Sequence, residues 1–317
     1  MNITDKIYHD EDAAREHLEN IRWSDGMSCP HCGGTEKCKP TPMFNKPTKK
    51  NPTKREVKGY YHCGDCLQKF TVRTGMIYER SHVRLHKWVL ATQLLCSSKK
   101  GMSAHQLHRM IGVTYKTAWF MCHRIREAMI DDKDAPMGGE GKHVQADETY
   151  FGKKKNPPKV KSNGEPFLKS GKAAAKMSVI SLVSEGKART FHVDRADAYT
   201  VRDILVNNVS KNTELRTDES RLYTRVGKEY ANHETVNHSK GEYVRDGITT
   251  NHVENYFSVF KRGMKGIYQH CSEKHLGRYL AEFDFRYNNR DVCDFERALK
   301  VFKGAEGKRL QYNPITV

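Results

Sequence analysis

The sequence predicts an α/β protein in which a small cysteine-rich module and a helical module precede a larger mixed-sheet domain. Three observations lead there. Two CxxC pairs, Cys29/Cys32 and Cys63/Cys66, lie near the N-terminus; two short helical patterns meet at Gly112-Val113-Thr114; and a β-β-β-α-β-α order after residue 142 places acids at strand ends. The expected segments are 1–28, an N-terminal helix; 29–75, the cysteine module with a basic insertion; 82–130, the helical module; and 142–317, the mixed-sheet domain.

Composition narrows the partners. The 317 residues suit two or three domains of roughly 100–200 residues each. Fifty-five Lys+Arg against 38 Asp+Glu give a net charge of +17, which favours a polyanion, most simply DNA. With 37 % hydrophobic residues and a mean hydropathy of −0.79, no apolar run approaches the ~20 residues of a membrane span, and a membrane protein is excluded. The first 23 residues are charged throughout and carry no secretory signal, so a cytoplasmic, nucleoid-associated protein is expected. Nine cysteines in such a chain point to metal ligands and buried thiols rather than disulfides. Two Pro-containing basic tracts, Lys37 to Lys58 and Lys153 to Lys176, each hold eight basic residues and one acid, and are expected as loops or extended arms. Asp131 to Gly141 has the composition of a linker.

The first helix is expected over Glu11–Arg22, capped by Asp10. Each CxxC knuckle sets two thiolates on one side of a tight turn. Two knuckles complete a tetrahedral S4 shell of Cys29, Cys32, Cys63 and Cys66 that selects a structural Zn²⁺. His31 or Cys38 could replace one thiolate. Short strands are expected at Tyr60–His62 and Gln68–Val72.

His86–Ser97, Ala104–Ile111 and a helix from Tyr115 to Met129 form a helix-turn-helix pattern, with Ser103 and Thr114 as caps and Gly112 supplying a positive φ. Ala118, Cys122, Ile125 and Met129 are expected inward, and Tyr115, Lys116, His123, Arg124 and Arg126 elsewhere. The first turn, Tyr115, Lys116 and Thr117, is placed to read base edges, with Arg124 as a further DNA contact. The alternative is a packing module that touches no DNA.

The mixed-sheet domain opens with a strand from His143 to Phe151 that carries Asp147. Strands follow at Met177–Val183 and Ala188–Val193, then a helix from Thr200, where Thr200 and Asp203 make a capping box, to Val209. A further strand, Glu214–Asp218, ends in an acid; helices begin at Asn251 and Glu273. Asp147, Asp218 and Glu254 are the candidate ligands of a two-metal phosphoryl-transfer site, since Mg²⁺ or Mn²⁺ needs only a few converging carboxylates and completes its shell with water and phosphate. Glu148 is expected on the opposite face of its strand. Asn251 or Asn255 could stand in for Glu254, and Asn251-x-x-Glu254 also reads as a capping box. Lys261, two turns beyond Glu254, projects from the same face and could hold a DNA phosphate. His233 and His238, near the last strand, are more simply ordinary polar residues than catalysts.

The segments CPHCGG…YHCGDC, FTVRTGMIYERSHVRLHKW, VQADETYFG, LRTDES and NHVENYFSVFKRGMKGIYQHCSEKHLGRYLAEFDFRYNNR together resemble the zinc-ribbon DDE transposases of bacterial insertion sequences, the ISXO2-like group, over nearly the whole chain. The resemblance implies an RNase H-like catalytic domain and Mg²⁺-dependent cleavage and strand transfer at terminal inverted repeats by a dimer or larger assembly on DNA. By position, Asp147 and Asp218 match the first two acids and Lys261 the trailing basic residue. HVEN matches the third-acid segment, where the group varies between Glu and Asn. A silent DNA-binding regulator and an RNase H-fold nuclease without strand transfer are the rival functions.

Overall fold

The computed structural model describes residues 2–47, 52–131, 135–155, 175–236 and 248–310. The chain divides into two compact units, one of residues 1–129 with 292–317 and one of residues 130–291. The expected mixed-sheet domain therefore ends at Asp291. The segment beyond it folds with the N-terminal unit, where α8 (Asp294–Lys303) packs on helices near the chain start.

In the first unit, α1 spans Glu11–Arg22, and Asp10 accepts a hydrogen bond from the Ala13 N–H at 2.8 Å, the cap that its position predicts. The cysteine module holds a three-stranded antiparallel sheet, β1 (Cys38–Pro40), β4 (Tyr61–Cys63) and β5 (Lys69–Phe70), ordered β1-β4-β5. The first basic tract is not only loop: β2 (Met43–Phe44) and β3 (Glu56–Val57) pair antiparallel within it, and Lys54 stands 4.6 Å from the Phe44 ring. Backbone pairing needs no buried face, so the scarcity of apolar residues there did not forbid strands. The second tract lies mostly outside the described residues.

Helices α2 (Leu85–Ser97), α3 (Ala104–Ile111) and α4 (Tyr115–Met129) follow. Ser103 Oγ caps α3 through the Gln106 N–H at 3.1 Å, and Gly112 turns the chain at φ 62°, a left-handed conformation that side chains resist. Trp88, Leu95, Leu107, Ala118 and Ile125 are buried between these helices. The α8 residue Arg297 donates to the Cys96 carbonyl at 2.7 Å.

The second unit is one five-stranded mixed sheet, ordered β10-β9-β6-β7-β8. Strands β6 (His143–Phe151), β7 (Met177–Ser184) and β8 (Lys187–Val193) are antiparallel neighbours; β9 (Glu214–Asp218) and β10 (Asn232–Val236) run parallel to β6. Every residue of β7 is buried, because helices cover both faces of the sheet. On one face Val144, Ala146, Ile180, Leu182 and Leu215 pack with Val201, Ile204 and Leu205 of α5 (Ala198–Asn208). On the other, Phe151, Met177, Val179 and Val183 meet α6 (Asn251–Gly263) and α7 (Glu273–Asn288) through Val253, Phe257, Phe260, Leu276, Leu280 and Phe283. The capping box expected at Thr200 is replaced. Helix α5 starts two residues earlier, and its cap is Asp197, which accepts from the Thr200 N–H at 2.9 Å. Among the described residues no helix is long and apolar enough to cross a membrane.

Candidate active site and metal centres

Parallel pairing of β6 with β9 sets the geometry of the acids. Gln145 lies opposite Arg216; continuing that register by two residues brings Asp147 level with Asp218, on one face. One carboxylate oxygen each from Asp147, Glu148 and Asp218 lies within 4.8 Å of the others. Glu148 corrects the sequence expectation. Its backbone position is on the opposite face, beside Ala146, and Tyr223 of that face donates its hydroxyl to Glu148 Oε2 at 2.9 Å. Beyond Gln145 the two strands are no longer paired, so the longer Glu side chain reaches round the free edge to the other acids. Alternation along a strand locates a Cβ, and a Glu carboxyl lies further out.

The three acids are electrostatically incomplete as they stand. Burial, then the charges of Asp218 and Glu148, push the Asp147 carboxyl up to about 8, against the one opposing hydrogen bond from the Glu148 backbone N–H at 2.7 Å. Burial likewise raises Glu148. Asp218 is held by accepting from the Ser220 N–H at 3.0 Å, a turn contact. An all-oxygen set with excess negative charge fits a hard divalent cation.

Helix α6 brings the remaining residues. A cavity of about 450 Å³ is lined by Asp147, Glu148, Glu254, Lys261 and neighbouring residues of α6. Glu254 thus faces Asp147 across the cavity and lies outside the three-carboxylate cluster. Its Oε1 accepts from Thr250 Oγ1 at 2.9 Å. The Asn251 capping box is absent: Thr250 is the N-cap residue, and Asn251 and Asn255 are exposed. The helix start is held instead from β6. Gln145 Oε1 accepts from the N–H groups of His252 at 3.0 Å and Val253 at 3.2 Å. Gln145 is buried two residues before Asp147, so one side chain ties the strand of Asp147 to the helix of Glu254. The sequence reading missed Gln145 and Tyr223; the only signal for Gln145 was a polar residue at a core position of an otherwise apolar strand start.

In the other unit the four knuckle cysteines lie within 4.8 Å of one another, with Cys29 Sγ to Cys66 Sγ at 3.6 Å and Cys32 Sγ to Cys63 Sγ at 3.7 Å. A tetrahedron with Zn–S bonds of about 2.3 Å has edges of about 3.8 Å. The thiols therefore already stand at zinc spacing. Backbone N–H groups of Cys66 and Asp65 draw the Cys63 thiol down to about 7, toward the thiolate that binds metal. Cys38 pairs opposite Cys63 across the sheet and donates to the Gly34 carbonyl at 3.4 Å, outside the cluster of four; His31 is outside it too.

Known protein families match a stretch of each unit. Residues 138–288 match the family model of the ISXO2-like transposase domain, and residues 9–69 that of the transposase zinc-ribbon domain. The chain thus carries an ISXO2-like transposase domain preceded by a transposase zinc ribbon. It is 28 % identical over 290 residues to an uncharacterized protein in transposable element ISH50 of Halobacterium salinarum, covering 89 % of this chain and 92 % of that one. A chain of a simian T-cell lymphotropic virus intasome, solved with PP2A regulatory subunit B56 gamma, is similar over 69 % of this chain and 65 % of its own, at 14 % identity and a TM-score of 0.24.

The helix-turn-helix of this transposase presents only part of the surface expected of it. Tyr115 and Lys116 are exposed at the first turn of α4, with Tyr115 stacked on His105 at 4.1 Å, and Thr117 bonds Thr114 at 2.9 Å. Arg124 does not join them. It is buried, donating from Nη1 to the carbonyls of Ile77 at 2.8 Å and Glu79 at 2.9 Å, and from Nε to Leu310 at 3.2 Å. His123 and Arg126 are buried as well. The segment around Ile77 to Glu79 and the chain after Asp291 cover that side of α4, which the local periodicity could not show. In the catalytic unit His233 is a tether, with Nε2 3.0 Å from Thr217 Oγ1; His238 lies outside the described residues.

Proposed function

We propose that this transposase cleaves DNA at the terminal inverted repeats of its insertion sequence and joins the freed 3′-OH ends to target DNA. One observation carries the reading: Asp147, Glu148 and Asp218 bring three carboxylates within 4.8 Å, beside a cavity that Glu254 and Lys261 face. Asp147, Glu148 and Asp218 would hold Mg²⁺ or Mn²⁺, with Glu254 as a further acid on the cavity wall. Bound there, the ion supplies charge neutralisation at phosphorus and polarisation of the attacking oxygen.

The chain's own residues orient the strand. Lys261 holds a non-bridging phosphate oxygen near the acids, and Gln145 and Thr250 keep α6 and Glu254 in place. In cleavage, a water oxygen bonds to phosphorus as the P–O3′ bond breaks, leaving a 3′-OH and a 5′-phosphate. In joining, that 3′-oxygen bonds to a target phosphorus and displaces a target 3′-oxygen. Tyr115, Lys116 and Thr117 read the transposon end, while the Cys29, Cys32, Cys63, Cys66 ribbon holds a structural zinc. Two ends must meet, so a dimer or larger assembly works on DNA in the cytoplasm.

The test incubates the purified chain with DNA carrying the inverted repeats that flank its gene, in Mg²⁺ or Mn²⁺, and sizes the products. Nicked and joined species are expected. Asp218→Asn should lower cleavage on the order of 10³-fold, since a lost charge-stabilising ligand removes several kcal/mol, and should leave end binding intact. A variant that cuts at the wild-type rate overturns the site. End binding without products marks a DNA-binding regulator, and hydrolysis without joining marks a nuclease.

A further inference from the structure

A second cavity, of about 410 Å³, adjoins the acid-lined one and has the opposite character. Its polar wall is Lys176, Lys261, Lys265, Gln269 and His270, its apolar wall includes Tyr150, and among the described residues no carboxylate lines it. Lys261 and Lys265 line both cavities. Four residues apart, they stand one above the other on the same side of the helix. Among the described residues, Lys176, Lys261 and Lys265 make no ion pair. Three lysines converge on this cavity, with the acids lying on the side of the neighbouring one, and such a cationic wall is a site for an anion.

The backbone beneath them is unusual in two ways. Helix α6 passes directly into a π-helical turn over Met264–Tyr268, a rare form that occurs mostly as single turns and is frequent at functional sites. The chain then leaves through Gln269 at φ 63°, a conformation disfavoured by about 1–2 kcal/mol for a residue with a Cβ. The turn is held in place from α7. The Tyr268 hydroxyl donates to Glu282 Oε1 at 2.6 Å, and buried Glu282 is paired with Arg286 at 2.7 Å. The strained exit sets Gln269 and His270 at the cavity rim, and a buried ion pair keeps it there.

We propose that this cavity binds a DNA phosphate next to the one being cut. The inference rests on the phosphoryl-transfer reading above and adds to it the residues that seat the neighbouring nucleotide: Lys265, Lys176 and His270 hold the phosphate, and the sugar lies toward Tyr150. Lys261, common to both cavities, lies between the scissile phosphate and this one. A cation site at the acids and an anion site one cavity away would fix the strand at two points, which sets which linkage enters the acid cluster.

The test is binding of the full-length protein to inverted-repeat DNA in EDTA, where nothing is cut. Single neutral methylphosphonate linkages are placed in turn at the phosphates flanking the mapped cleavage position. One flanking linkage should weaken wild-type binding about tenfold. The same linkage should have no further effect on Lys265→Gln, the non-additivity expected of groups in contact. Lys265→Gln should also lower the slope of log K against log salt by about one. Equal penalties for the neutral linkage in wild type and variant would overturn the proposal, as would an unchanged salt slope in a variant shown folded by circular dichroism. Millimolar inorganic phosphate that leaves the difference between charged and neutral DNA intact supports a strand phosphate. Phosphate that abolishes the difference at micromolar levels assigns the cavity to a free anion and overturns it. Asp218→Asn, assayed in parallel for cleavage, separates the two readings: cutting by that variant removes the acid site while coupling at Lys265 stands.

Discussion

The cysteine cluster and the carboxylate cluster solve the same problem, gathering negative ligands, in opposite ways. The four thiols come from two knuckles of a small sheet, within 38 residues of one another, and their sulfurs already stand at the edge length of a zinc tetrahedron. The carboxylates come from two parallel strands and a later helix, spread over more than 100 residues from Asp147 to Glu254, and burial, with their mutual repulsion added to it, holds Asp147 near 8. Four thiolates fill a tetrahedron and leave no position for water, so that centre is built to be closed. Three oxygens would leave half of an octahedron free, so the other, as a proposed Mg²⁺ or Mn²⁺ site, would admit phosphate and water. A structural site is finished by its ligands. A catalytic one is finished by its substrate.

The largest expected effect tests the closed site. Cys63→Ser removes one thiolate from a shell whose metal contributes on the order of 10 kcal/mol to folding of so small a module. The variant should purify with its zinc lost, and the ribbon's amide protection should collapse in hydrogen exchange. Cys38→Ser, one sheet position across but outside the cluster, should keep about one zinc per chain. Full zinc content in Cys63→Ser would break the contrast, since a site that tolerates a missing ligand is not closed.

The same contrast explains what was legible in the sequence. The S4 set is visible because its spacing is local: CxxC alone dictates where two sulfurs go. Helix α1, the Gly112 turn and strands β6 and β9 are legible for the same reason, since caps, glycine and alternation act within a few residues. Asp147 and Asp218 were readable as acids of the first and fourth strands of the domain, although Asp147 stands in the middle of β6, which runs on to Phe151, and only Asp218 ends its strand. Glu148 was not, because its position is set by the free edge where β6 parts from β9 and by Tyr223, 75 residues away. Arg124 was misjudged on the same ground. It stands on a helix face that looks solvent-exposed until the carbonyls of Ile77, Glu79 and Leu310 close on it.

A middle-sized effect sharpens the comparison at the open site. If its ligands are placed by distant tethers, removing a tether should act without removing a ligand. Gln145→Leu keeps volume and deletes the oxygen that accepts from the His252 and Val253 N–H groups. Helix α6 then loses its hold on β6, and Glu254 and Lys261 shift relative to Asp147. A displacement of about 1 Å can lower a rate about 100-fold. Single-turnover cleavage should fall by roughly that factor, with end binding nearly unchanged. Loss of end binding in equal measure would make Gln145 a residue of general folding rather than of site geometry.

The smallest effect concerns the ligand that sequence missed. Tyr223 is almost completely buried, and its hydroxyl fixes Glu148 from behind by a 2.9 Å hydrogen bond. Tyr223→Phe preserves the ring packing and removes only that donor. Partners that orient a metal ligand typically contribute 10- to 100-fold to metal affinity, and the lower end applies because Asp147 and Asp218 keep their own positions. The Mn²⁺ concentration for half-maximal cleavage should rise about tenfold, with the rate at saturating metal restored. At the thiolate centre the corresponding hold on Cys63 comes first from the backbone N–H groups of Cys66 and Asp65. A variant with unchanged Mn²⁺ dependence would place Glu148 outside the metal's shell and return the third ligand to Glu254 alone.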